Sequence, residues 1–79
     1  MLVMKYSYKI KLSETAQAID FVKSAGKCNF DIDVFYNRVI IDAKSILGVL
    51  SLDFSKVLTV RCADRDEEFE KTLEKYCAA

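Results

Sequence analysis

Hydrophobic and polar positions alternate along the first segment: Met4, Tyr6, Tyr8 and Ile10 are separated by Lys5, Ser7 and Lys9, followed by Lys11. A period of two is that of a strand with one wet face. The period then lengthens. Ala18, Phe21, Val22 and Ala25, with Ile19 beside them, fall on one face of a helix; Ser13 or Thr15 is placed to cap it and Gly26 to stop it. Phe30, Ile32, Val34 and Tyr36 alternate with Asp31, Asp33 and Phe35, and Asn37-Arg38 separates them from Val39, Ile40 and Ile41, which reads as a hairpin. A short helix is expected over Ser45 to Leu52, a loop over Asp53 to Lys56, and a fourth strand over Val57 to Cys62 with Leu58, Val60 and Cys62 on one face. Asp64 to Cys77 reads as a last helix: Phe69, Leu73, Tyr76 and Cys77 share a face, Asp66, Glu67 and Glu68 open it, and Lys71 and Lys75 follow, as the helix dipole favours.

The predicted order is β-α-β-β-α-β-α. Four strands with alternating faces imply an α+β fold of two layers, a four-stranded sheet with helices on one face and water on the other. With 79 residues the chain has room for one domain, 1–79, and not for two. Hydrophobic residues make up 52% of it and proline is absent, which places it among globular chains and away from disordered ones. A domain this small buries only about 60% of its unfolded surface. An exposed apolar patch is therefore costly and points to a use.

Charge narrows the partners. Twelve basic and twelve acidic residues cancel, so no net field draws the chain to nucleic acid or to a membrane. The opening MLVMKYSYK has no long apolar core with a cleavage site, and no stretch approaches the roughly 18 apolar residues of a membrane span; a cytoplasmic location is expected. Cys28, Cys62 and Cys77 are widely spaced, and there is no histidine to complete a zinc site. They read as small apolar residues, with a redox role for Cys77 as the alternative. No cofactor or metal is called for.

One stretch resists a purely structural reading. In IDAKSILGVLSLD a serine, Ser45, stands directly before Ile46, Leu47, Val49 and Leu50, with Gly48 among them and Ser51 after them. A buried helix accounts for the apolar residues; an exposed docking surface accounts also for the glycine and the second serine.

The element order, AKSILGVLSL at Ala43 to Leu52, and AIDFVKSA at Ala18 to Ala25 resemble the HPr family, the small phosphocarriers of the bacterial sugar phosphotransferase system. The resemblance spans nearly the whole chain and implies the HPr-like open-faced sandwich. The family's chemistry depends on a phosphorylated histidine at the start of its first helix, in a Gly-hydrophobic-His-x-Arg-Pro-Ala pattern. The matching positions here read Leu12, Ser13, Glu14, Thr15, Ala16, Gln17, Ala18. Glu14 stands at the histidine position, Ala16 replaces the arginine that would hold a phosphate, and Gln17 replaces the proline.

Imidazole titrates near neutrality and releases a phosphoryl group readily, whereas a carboxylate does so only through a high-energy acyl phosphate. Glu14 therefore reads either as an acid in the first helical turn, as a carboxylate imitating phosphohistidine for a partner, or as an acyl-phosphate carrier. Ser45 reads as a helix N-cap, and by resemblance it matches the position that HPr kinase phosphorylates in relatives serving catabolite repression. Ile46, Leu47 and Leu50 match the family's apolar docking surface for that kinase and for a transcriptional regulator; their plain alternative is core packing.

The sequence thus favours a regulatory or interaction module without enzymatic activity, binding proteins and existing as a monomer or weak dimer. It is similar in logic to the Crh branch, where the histidine is also absent and the serine remains. Partner contacts are expected at Glu14, Ala16, Ile46, Leu47 and Leu50. The competing reading is a working phosphocarrier that uses another residue.

Overall fold

A computed structural model describes residues 4–78; Met1 to Val3 of the opening segment read above lie outside the described residues. Seven elements follow one another: β1 (Tyr6–Ile10), α1 (Thr15–Gly26), β2 (Ile32–Tyr36), β3 (Val39–Asp42), α2 (Ile46–Leu50), β4 (Leu58–Cys62) and α3 (Glu67–Lys75). This is the predicted β-α-β-β-α-β-α order. The strands form one antiparallel sheet in the order β1-β4-β2-β3.

Alternation decides which side is covered. Ile10, Ile32, Val34, Leu58, Val60 and Cys62 are buried beneath the helices, and Phe21 of α1 and Phe69 of α3 close over them with ring centroids 5.9 Å apart. On the other face Lys9 Nζ donates to Thr59 Oγ1 at 2.9 Å, and the Arg61 guanidinium sits 4.2 Å above the Phe35 ring, a cation–π contact that shields an otherwise solvated aromatic. The β2–β3 hairpin turns at Asn37, whose φ of 51° is left-handed and among side chains is best tolerated by asparagine. α1 packs against both α2 and α3.

Boundaries shift where tertiary contacts overrule local pattern. β1 begins at Tyr6 and not Met4, β2 begins at Ile32 after Phe30, and Val57, 51% exposed, lies outside β4. α2 ends at Leu50, although Leu52 beyond it is still buried. The last helix starts at Glu67, because the Asp66 carboxylate accepts from the Phe69 amide at 2.9 Å. It stops at Lys75 because the following backbone is taken by the sheet: Lys11 N–H donates to the Tyr76 carbonyl at 2.8 Å and Ala78 N–H to the Lys9 carbonyl at 3.0 Å. Cys77 consequently pairs with Ile10 in a bridge, outside the helix that was expected to contain it. Gly26 is the last residue of α1 but adopts no left-handed conformation; the helix tightens to its end through Lys27 N–H to Ser24 O and Cys28 N–H to Ala25 O.

Candidate functional site

The run Ala43-Lys44-Ser45 connects β3 to α2, and each residue is fixed differently. Ala43 is fully buried and its amide donates to the Ile32 carbonyl at 2.9 Å. The Lys44 amide is held by Asp42 Oδ1 at 2.9 Å, and its ammonium reaches the Cys28 carbonyl at 2.9 Å, tying the turn to the end of α1. Ser45, exposed and extended in backbone, donates its amide to the Asp42 carbonyl at 3.0 Å and accepts the Gly48 amide on Oγ at 3.2 Å. It is the N-cap of α2, one of the side-chain types best able to satisfy the free amides of a first turn.

α2 is split between inside and outside. Val49 is fully buried, while Leu47 is 80% exposed and Ile46 and Leu50 are each a little over one third exposed. Docking does not explain Gly48 and Ser51, as the sequence suggested. A Cβ on Gly48 would lie 2.6 Å from Ile41 Cγ2, so the glycine is required for α2 to lie against β3. The Ser51 hydroxyl donates to the Gly48 carbonyl at 2.6 Å and closes the other end of the helix. With these two assigned to packing, the exposed trio Ile46, Leu47 and Leu50 is what packing leaves unexplained.

At the start of α1, Glu14 occupies the N-cap position with φ −154° and ψ 164°, and its side chain makes no capping bond. This corrects two expectations: the cap is neither Ser13 nor Thr15, and Glu14 precedes the first helical turn instead of lying in it. Its carbonyl accepts the Gln17 and Ala18 amides at 3.1 and 3.3 Å. Gln17 Oε1 reaches back to the Ser13 amide at 2.8 Å and to the Ser13 hydroxyl at 3.0 Å, a variant of the capping box shifted by one residue. Glu14 and Ala16 are both exposed. No hydrogen bond or ion pair joins Glu14 to Ser45 among the described residues.

The family model for the PTS HPr component phosphorylation site matches residues 3–78. The chain belongs to the HPr family. Among solved structures it is similar to HPr-C-His from Thermoanaerobacter tengcongensis, at 28% identity over 90% of this chain and 89% of that one, with a TM-score of 0.71. It also shares its fold with the phosphocarrier protein HPr from Bacillus anthracis str. Ames, at 22% identity over 89% of each chain and a TM-score of 0.60. A comparison with curated proteins gives no match.

Within this HPr fold the three cysteines are free thiols. Burial pushes the Cys62 thiol up to about 12 and raises that of Cys28, so neither supplies thiolate, the reactive form; Cys77 is exposed. Among the described residues no cluster of three His, Cys, Asp or Glu side chains could hold a metal ion, and no helix is long and apolar enough to cross a membrane.

Two site features escaped the sequence reading. Lys44 looked like part of a family signature, yet its ammonium is an internal strut to the Cys28 carbonyl. Gln17 was read only as a missing proline, though a glutamine four residues after Ser13 was a legible sign of local closure.

Proposed function

We propose that this HPr-family chain acts as a protein-interaction module of carbon catabolite control, without histidine phosphoryl transfer, and that Ser45 switches its docking face by phosphorylation. The observation that carries the reading is the exposure of Leu47, 80%, flanked by Ile46 and Leu50 immediately after a solvent-accessible serine. A leucine this exposed gains nothing from the core, and apolar side chains on one short helix form the type of anchor that binds a partner's groove. A phosphate on Ser45 would place about two negative charges beside that anchor and alter docking directly. Partners expected by family resemblance are HPr kinase and a transcriptional regulator.

At the other family position the chemistry is absent. The chain has no histidine, Glu14 projects from an N-cap into solvent, and Ala16 offers no guanidinium to hold a phosphate. Glu14 in this reading presents a permanent carboxylate to a partner where relatives present phosphohistidine. Incubation with enzyme I and phosphoenolpyruvate, read by intact mass, tests this part: the mass is expected to stay unchanged, and an acid- or base-labile gain of one phosphate would instead establish the working-carrier reading.

A further inference from the structure

β3 is the last strand of the sheet, with β2 on one side and no strand on the other among the described residues. Natural proteins cover, charge or interrupt such edges, because a row of unpaired N–H and C=O groups is a template for another strand. The β1 edge is covered by the backbone of Tyr76 and Ala78. β3 is not covered in this way, and its Val39 and Ile40 are 40% and 59% exposed.

The ladder fixes where the free groups point. Since the Ala43 amide bonds the Ile32 carbonyl, the alternation of antiparallel pairing makes Val34–Ile41 and Tyr36–Val39 the hydrogen-bonded pairs, and Phe35–Ile40 and Asp33–Asp42 the others. Ile40 therefore turns both its N–H and its C=O to the open edge.

Read antiparallel against itself, the segment Arg38-Val39-Ile40-Ile41-Asp42 is complementary. With Ile40 on a twofold axis, the two Ile40 residues exchange backbone hydrogen bonds, Val39 faces Ile41, and Arg38 faces Asp42. Neither Arg38 nor Asp42 has an ion-pair partner among the described residues. Within one chain Asp42 stands directly across from Asp33, a like-charge pair that destabilises the hairpin, and a second chain's arginine would offset it. We infer that β3 is a self-association surface, through which two copies of this chain pair antiparallel about Ile40 and join their sheets into one. Four residues per strand make the pairing weak, so it is reversible and depends on concentration. The inference does not rest on the docking role of α2.

Sedimentation equilibrium over a concentration series into the millimolar range tests it. Wild type is expected to approach twice the monomer mass. Arg38→Asp alone and Asp42→Arg alone each place like charges across the axis, and each is expected to remain monomeric while keeping the wild-type circular dichroism. Mixed in equal amounts, the two variants restore opposite charges at both ends, and the doubled mass should return. A wild type that stays monomeric throughout, variants that associate as wild type does, a mixture that stays monomeric, or association abolished by Leu47→Glu and untouched by Arg38→Asp would each overturn the assignment; the last would place the contact on α2.

Discussion

Gly48 and Ile41 touch so closely that no side chain fits between α2 and β3: a Cβ on the glycine would stand 2.6 Å from the isoleucine Cγ2 methyl. The Ser45 hydroxyl lies 3.1 Å from the same point. Cap, glycine and strand therefore form one unit that fixes the height of α2 above the sheet. Gly48→Ala gains about 1 kcal/mol of helix propensity but must displace a β-branched side chain, at about 1–3 kcal/mol. The expected outcome is a net loss of about 1 kcal/mol in denaturant melts, and a smaller loss when Gly48→Ala is made in an Ile41→Ala chain, which lacks the Cγ2 methyl.

Leu47 and Val49 are two residues apart on α2 and opposite in environment, at 80% and 0% exposure. Val49→Ala removes buried methyl groups and should cost about 2 kcal/mol. Leu47→Glu should change stability by less than about 0.5 kcal/mol. Urea melts of the two variants separate a core helix from a presenting one, and unfolding by Leu47→Glu would show that α2 is core throughout.

α1 and α3 are joined by Asp20, whose carboxylate accepts from Lys75 Nζ at 2.8 Å and from the Tyr76 hydroxyl at 2.6 Å. The lysine bond, then the tyrosine bond, holds its pKa below the ordinary 3.8. A carboxylate with a depressed folded-state pKa contributes stability that is complete above its unfolded value and is lost as pH falls through the folded value. Asp20→Asn is expected to cost about 0.5–1 kcal/mol near neutrality, small because the pair is open to solvent, and the difference from wild type should vanish as pH falls below 3.8. Paired thermal melts across that range measure it.

Thiol chemistry should follow burial. Under native conditions iodoacetamide is expected to alkylate Cys77 alone, and Cys28 and Cys62 only after denaturant is added; peptide mass mapping distinguishes the three.

The architecture was legible because period-two and helical patterns depend on burial, which the sequence records directly: the sets Ile32 and Val34, Leu58, Val60 and Cys62, and Phe69 and Leu73 all face the core. The helix ends were less so. α3 lost Tyr76 and Cys77 to the β1 edge, a contact made across the length of the chain that no local pattern encodes. Within the candidate site, the sequence placed Ser45 correctly at a cap, since capping is a local event. Periodicity could not separate Leu47 from Val49, because a five-residue helix is too short to define a face; only the family resemblance set Ile46, Leu47 and Leu50 apart from Val49. Gly48 was misassigned for a similar reason: its constraint comes from Ile41, on another element.

The central claim, that Ser45 and the exposed side of α2 are the working site, is tested most directly by site-resolved mass spectrometry after incubation with HPr kinase and ATP. One phosphate is expected on Ser45, none on the Ser45→Ala variant, and labelling of Leu47→Glu slowed at least about tenfold with its fold intact, the effect of losing about 1.4 kcal/mol of docking. An unmodified wild type, or a phosphate on Ser51 or Ser55 instead, would contradict the account and leave Ser45 a helix cap alone.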